Sequence, residues 1–211
     1  MSRNVPFKTG YERGRRVITD ILETHGLRGN GVEIGVKRGE FSKHLLQHWN
    51  CEKLYLVDPW ISQDPSTYDE THHDHDEDFS KCLANVSPFA GKFEIVKDFS
   101  YNAADRFADN FFDFVYIDGN HSYDAVKTDL RMWYPKLKAG GLIAGDDYTQ
   151  LPEETVFDYN FGVKRAVDEF ARTHRKNVSI DLVGDWYYPT GIETSTHDML
   201  VCPSRNWYLF K

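Results

Sequence analysis

The sequence predicts an α/β fold built on a mostly parallel sheet, and three observations carry that prediction. Short apolar runs alternate with amphipathic segments along the chain, the order a parallel sheet with helical crossovers requires. The run Phe112 to Asp118 (FDFVYID) is dominated by aromatic and β-branched residues, which suits a strand buried on both faces. Long polar or aromatic connections follow two of the apolar runs, on the side of an open α/β sheet where ligands bind.

The elements follow in order. Val17, Ile18, Ile21 and Leu22 recur at helical spacing, so Tyr11 to His25 reads as an opening helix, stopped by Gly26 and Gly29. Gly31 to Gly35 (GVEIG) is a first strand, and Phe41 to Trp49 is a helix that starts near Gly39 to Ser42. Lys53 to Asp58 (KLYLVD) and Phe93 to Lys97 (FEIVK) are the second and third strands, with Phe112 to Asp118 the fourth. Tyr123 to Leu137 is a crossover helix with Val126, Leu130, Trp133 and Leu137 on one stripe. Gly141 to Gly145 (GLIAG) is a fifth strand, and Val163 to His174 a helix with Val163, Ala166, Val167 and Phe170 inward. Val178 to Val183, with Asp198 to Val201 or Trp207 to Phe210, supplies the last strands.

Two segments break this rhythm. Ser62 to Phe79 is polar and acidic, and Tyr148 to Phe161 is rich in aromatics. Both read as lid or binding loops (residues 62–79 and 148–161), since long connections in compact domains commonly carry that role. Residues 1–211 are expected to form one domain, with residues 1–29 as its N-terminal helical segment.

Composition narrows the function. The 25 Lys and Arg against 33 Asp and Glu leave a formal net charge of -8, which argues against a nucleic-acid partner, because gripping a phosphate backbone calls for a basic surface. Arg13 to Arg16 is a short basic stretch that a solvated helix face accounts for. Cys51, Cys82 and Cys202 are odd in number and widely spaced, so neither a disulfide framework nor a thiolate zinc site is expected. Met1 to Gly10 is polar, without the apolar run of a signal peptide, and no stretch approaches the ~20 apolar residues of a membrane helix. The expectation is a cytoplasmic protein with no membrane partner; homo-oligomers stay open. The aromatic content, with 14 Phe, 12 Tyr and 5 Trp, exceeds what a small core needs and suggests an aromatic-lined pocket for a small-molecule acceptor.

The first site signal is Glu33-Ile34-Gly35-Val36-Lys37-Arg38-Gly39, directly after a strand and before a helix. Glycine there permits a tight turn and close approach of backbone to ligand, and the helix amides then face that ligand. The spacing is E-x-G-x-x-x-G rather than the tighter pattern of dinucleotide sites. Asp58 lies 25 residues beyond Glu33 at the end of the second strand, where an acid can accept two ribose hydroxyls; before Pro59 it can equally initiate a turn. After the third strand, Asp98 could accept from an adenine amino group and Phe99 could pack on the ring, or the pair could be a loop acid and a core aromatic.

The second signal is a carboxylate cluster. Asp118 ends the fourth strand, and Asp146 and Asp147 end the fifth. The helix between these strands makes them parallel neighbours, ~4.8 Å apart. Like charges so placed disfavour joint ionisation. A divalent cation removes the conflict, and an all-oxygen set favours magnesium, manganese or calcium. His121, three residues past Asp118, reads as a general base or as the group orienting an acceptor hydroxyl, against the plainer role of a hydrogen bonder at a helix N-terminus. His72 to Asp78 (HHDHDED) looks metal-binding, but it stands in a polar loop with no strand to fix ligands, so a solvated segment is expected there.

The segments VEIGVKRGEFS, YLVDPW, FVYIDGNHSYDAVKTDL, LKAGGLIAGDDY and GVKRAVDEF together resemble a branch of class I S-adenosylmethionine-dependent methyltransferases. They are also similar to the metal-dependent macrocin-type sugar O-methyltransferases and to the proteins called cephalosporin hydroxylases. The resemblance spans about Gly31 to Phe170, and D-G-x-H-x-Y followed by G-G-x-x-x-x-D-D-Y is its most specific part. It implies a Rossmann-like seven-stranded, mostly parallel sheet with its last strand antiparallel and helices on both faces. It also implies a cofactor turn at Glu33, Gly35 and Gly39, a ribose acid at Asp58, an adenine-side position at Asp98, metal acids at Asp118, Asp146 and Asp147, and the family histidine at His121. The expected activity is metal-dependent O-methylation of a small hydroxylated acceptor such as a sugar or phenol. His121 or Asp118 would take the proton, and Trp60, Tyr148, Trp186 and Tyr187 would wall the pocket. The alternative is a non-catalytic cofactor- or carbohydrate-binding module on the same fold.

Overall fold

Period-two alternation along the strands sorts the apolar side chains onto two faces. The computed structural model describes residues 11–64, 68, 74–148, 162–180, 185–187, 202–204 and 206–211. The strands are β1 (Asn30–Ile34), β2 (Leu54–Val57), β3 (Phe93–Val96), β4 (Phe112–Ile117), β5 (Leu137–Gly145), β6 (Ser179–Ile180), β7 (Asp185–Tyr187), β8 (Cys202–Ser204) and β9 (Trp207–Phe210). The helices are α1 (Tyr11–Thr24), α2 (Glu40–His48), α3 (His75–Val86), α4 (Ser100–Ala103), α5 (Tyr123–Trp133) and α6 (Val163–His174). Seven strands form one sheet in the order β3-β2-β1-β4-β5-β9-β6, with β7 and β8 a separate ladder. The pairs β1·β2, β1·β4, β2·β3 and β4·β5 are parallel, and β9 runs antiparallel to both β5 and β6. The expected fold class holds, and Trp207–Phe210 is the antiparallel strand.

Val115 and Ile117 of β4 share one core with Val126, Leu130 and Trp133 of α5 and with Ala166 and Val167 of α6. Phe114 and Tyr116 point the other way, into a core with Ile18 and Leu22 of α1, Phe41 and Leu45 of α2 and Cys82 of α3. Helices therefore cover both faces of the sheet, which is why its central strands are apolar on both sides.

The strand register sets the site. Ile34 stands opposite Val57 and Ile117, and Ile117 stands opposite Gly145. Gly35, Asp58, Asp118 and Asp146 each follow one of those residues, so they share one row along the C-terminal edge of the sheet.

Two elements depart from the sequence reading. The crossover helix ends at Trp133, and Leu137 opens β5. Pro135 is the reason: Tyr134 still has helical dihedrals, but the proline has no N–H to donate to the Arg131 carbonyl and its ring crowds that carbonyl. Residues 62–79 are not all loop: His75 begins α3, capped by Asp74, whose carboxylate accepts the Glu77 amide at 3.0 Å. Residues 65–67, 69–73 and 149–161, as well as 198–201, lie outside the described set.

Asp129 of α5 is a buried acid facing α4, where it accepts a hydrogen bond from the Ser100 hydroxyl. Burial pushes its carboxyl up to about 7, against the Ser100 bond, which favours the charged form. A carboxyl raised on folding stabilises the native state below its unfolded value near 4, and that contribution is lost as pH rises toward about 7. Asp129→Asn removes the titration and retains an acceptor for Ser100. The unfolding free energy of the variant, followed from about pH 5 to pH 8, is expected to gain steadily on the wild type, by an upper limit on the order of a few kcal/mol. A constant difference across that range would rule the titration out.

Candidate active site

The turn after β1 is built from left-handed backbone. Gly35, Lys37 and Gly39 have φ of 83°, 51° and 67°. At Gly35 the reason is contact: a Cβ there would lie 2.0 Å from the carbonyl oxygen of Asp118 and 2.6 Å from the Cα of Gly119. The turn thus presses directly on the backbone of Asp118.

Asp58 holds the turn in place. One carboxylate oxygen accepts the amides of Val36 and Lys37, both at 2.9 Å, and the other accepts the amide of Trp60 at 2.7 Å. The Trp60 indole donates back to the Lys37 carbonyl at 2.8 Å. Glu33 is buried inside β1 and accepts the Ser42 hydroxyl at 2.5 Å, fastening the strand to the first turn of α2. Arg38 pairs at 2.6 Å with buried Asp78, and a Cβ on Gly39 would sit 3.0 Å from the Cys82 sulfur, so α3 supports the turn from below. The acidic tract is therefore not a solvated loop over its second half: His75 to Asp78 form the first turn of α3, and Asp78 is an internal ion-pair partner. His72 and His73 lie outside the described residues. A small cavity lined by Lys37, Asp58, Trp60 and His75 adjoins the turn.

At the next strand tip, Asp98 accepts the Phe99 amide at 2.8 Å and the Asn102 side chain at 3.0 Å, which fixes the start of α4. Phe99 stacks on Tyr101 with ring centroids 5.4 Å apart. Phe99 is half-buried, one strand over from Asp58.

Among the described residues, Asp118, His121 and Asp147 bring one ligand atom each to within 4.8 Å of one another. His121 Nε2 lies 3.2 Å from Asp147 and 3.7 Å from Asp118. This differs from the expected set of Asp118, Asp146 and Asp147. Asp146 turns its carboxylate back onto the Asp147 amide at 2.8 Å. That bond closes a turn in which Asp147 adopts a φ of 60°, a conformation few non-glycine residues take. The backbone twist presents Asp147 to His121. The two carboxylates are the oxygen ligands that magnesium and manganese take, whereas the imidazole is a ligand type better suited to transition metals such as zinc or iron.

Of the expected pocket walls, Trp60 is buried against Phe79, at 4.8 Å between ring centroids. Tyr148 is buried too, and its hydroxyl donates to Asp168 at 2.6 Å. Trp186 and Tyr187 lie in β7, and their side chains fall outside the described residues. Sequence reasoning missed Asp168, whose one local signal is Lys164 four residues earlier on the same helix.

The fold has counterparts among known proteins. A methyltransferase domain family model matches residues 32–148. An uncharacterized protein of Acanthamoeba polyphaga mimivirus is 26% identical over 122 residues, covering 56% of this chain and 50% of its own length, so the chain spans about half of that curated relative. Among solved structures, an O-methyltransferase from Bacillus cereus in complex with S-adenosylhomocysteine aligns with a TM-score of 0.61 at 13% identity, over 95% of this chain and 81% of its own. The N-methyltransferase NodS from Bradyrhizobium japonicum aligns with a TM-score of 0.61 at 12% identity, over 97% and 98%. A Staphylococcus aureus protein described as a caffeoyl-CoA O-methyltransferase gives 0.63 at 11%, over 98% and 86%. At these identities the structures share the fold. No helix among the described residues is long and apolar enough to cross a membrane. With its glycine turn, its strand-tip acids and a family match over more than half of its 211 residues, the chain belongs to the methyltransferase domain family.

Proposed function

We propose that this protein transfers a methyl group from S-adenosylmethionine to a hydroxyl of a small acceptor, such as a sugar or a phenol, with a divalent cation held at Asp118, His121 and Asp147. The observation that carries the reading is the convergence of those three side chains within 4.8 Å at the edge of the sheet, next to the Gly35 turn. An O-methyl product is favoured over an N-methyl one because the two carboxylates favour a hard cation, which takes an acceptor through oxygen.

When bound, the sulfonium donor supplies an already activated methyl group, and the cation lowers the pKa of an acceptor hydroxyl. The chain supplies the rest. Its turn from Gly35 to Gly39 lets the backbone come close to the donor, and Asp58, by accepting the Val36 and Lys37 amides, keeps that turn in shape while lying where a ribose acid belongs. Asp98 and Phe99 flank the adenine side. The backbone contact between Gly35 and Asp118 fixes the donor side against the acceptor side, and this alignment is the main catalytic contribution, a proximity effect. Asp118, His121 and Asp147 would hold the cation, and the hydroxyl proton would pass to His121 or Asp118. The net charge of -8 supports a small-molecule acceptor over nucleic acid.

Calorimetric titration with S-adenosylhomocysteine, with and without magnesium, tests cofactor and cation together. The expected result is binding of S-adenosylhomocysteine in both conditions, and separate uptake of magnesium by the wild type. Absence of any S-adenosylhomocysteine heat would sink the reading at its root; absence of magnesium uptake would sink its metal half.

A further inference from the structure

Helix α6 touches both loops that carry the acid–histidine cluster. At its start, the Gly162 amide donates to the His121 carbonyl at 2.8 Å. A Cβ on Gly162 would lie 2.5 Å from Tyr123, so the helix docks against the β4–α5 loop without a spacer. Farther along, Asp168 accepts the hydroxyl of Tyr148, the residue next to Asp147, at 2.6 Å. Lys164 neutralises Asp168 from the same helix at 2.6 Å and sits 5.3 Å from the centre of the Tyr148 ring. The neighbouring Glu169 accepts the Tyr123 hydroxyl and the Lys127 ammonium, and the Arg165 guanidinium covers the Tyr123 ring at 4.1 Å. The helix is thus fastened to α5 as well as to the two loops.

Asp147 holds a φ of 60°, which a non-glycine residue keeps only when its surroundings over-determine it. The Asp146 carboxylate supplies one restraint at the Asp147 amide. The buried Tyr148 ring, anchored through its hydroxyl, supplies the second on the other side of the residue. Without that anchor the Asp147 backbone can relax toward ordinary values, and its carboxylate then swings away from His121.

We propose that Asp168 is a positioning residue for the acid–histidine cluster: through Tyr148 it holds Asp147 at the distance from His121 and Asp118 that a divalent cation needs. The inference rests on the metal reading above and adds to it a residue that lies outside the cluster. Groups that orient metal ligands commonly change affinity tenfold or more when removed.

The test is magnesium affinity by calorimetry in the full chain, with S-adenosylhomocysteine affinity and melting temperature measured alongside. Tyr148→Phe cuts the tie and leaves the Lys164–Asp168 pair intact. It is expected to weaken magnesium binding about tenfold and to leave S-adenosylhomocysteine binding within about twofold of the wild type. Asp168→Ala should do the same, and Asp168→Asn, which keeps an acceptor oxygen for the tyrosine, should restore most of the affinity. If the wild type binds magnesium and both Tyr148→Phe and Asp168→Ala match it, the positioning role is overturned while the metal reading stands, whatever happens to the melting temperature. If the wild type binds no magnesium, the metal reading fails first and this inference falls with it.

Discussion

Asp147→Asn is expected to abolish turnover while leaving S-adenosylhomocysteine binding largely intact. Asparagine tolerates positive φ better than most residues, so the turn that holds φ at 60° survives and the change is confined to charge. What disappears is one of the two carboxylates in a cluster whose atoms lie within 4.8 Å of each other. A cation contribution of several kcal/mol translates into a loss on the order of 100-fold or more. Chelation of the wild type should reproduce the loss, and added magnesium should reverse it. Asp147→Ala should be at least as damaging, because it adds backbone strain. Release of S-adenosylhomocysteine from a panel of hydroxylated acceptors is the measurement. Undiminished turnover in both the chelated enzyme and the asparagine variant would mean that the cluster does not serve a metal.

Gly35→Ala carries the largest expected effect on the fold. Part of it is conformational, since φ at Gly35 is 83°. The larger part is collision, because the new Cβ would meet the Asp118 carbonyl at 2.0 Å for oxygen and 2.4 Å for carbon. Backbone cannot rotate out of the way as a side chain can, so β1 and β4 must separate at the tips where donor and acceptor sides meet. Gly91→Ala is the control: its φ is 89°, and nothing stands within 4 Å of the added carbon. The control should cost about 1 kcal/mol in denaturant unfolding. Gly35→Ala should cost about 3 kcal/mol or more, with loss of S-adenosylhomocysteine binding. Equal destabilisation in the two variants would show that the contact relaxes easily.

Much of this was legible in the residues because the strands are short, apolar and flanked by clear turns. Phe112 to Ile117 and Val163 to His174 could be bounded closely for that reason. The third helix was hidden by its own first turn, where His75, Asp76, Glu77 and Asp78 read as solvent-facing. Asp74 with Glu77 three residues on is nevertheless a capping pattern, and Phe79, Cys82 and Val86 supply an apolar stripe behind it. Pro135 likewise marked the end of α5, but the spacing of Trp133 and Leu137 mimicked one more turn. At the site, strand order placed Asp118, Asp146 and Asp147 on one edge, and they are there. Spacing could not say which of two adjacent aspartates faces inward; a local hydrogen bond and a left-handed residue decide that, and they bring in His121 instead of Asp146. The bond from Tyr148 to Asp168 joins side chains 20 positions apart, so no local pattern announces it.

The place of β9 bears on how the molecule comes together. It follows β5 and β6 in the chain, yet it lies between them. The pairings that make the strand-tip row, among β1, β2, β4 and β5, need nothing from residues 207–210 and are free to form first. Until β9 pairs, one flank of the sheet presents Leu142 to Ala144 as a bare, apolar rim. Unpaired rims of that kind invite pairing with other chains. The pairings that carry the chemistry are thus independent of β9, and the hazard of misassembly lies at the rim that β9 covers.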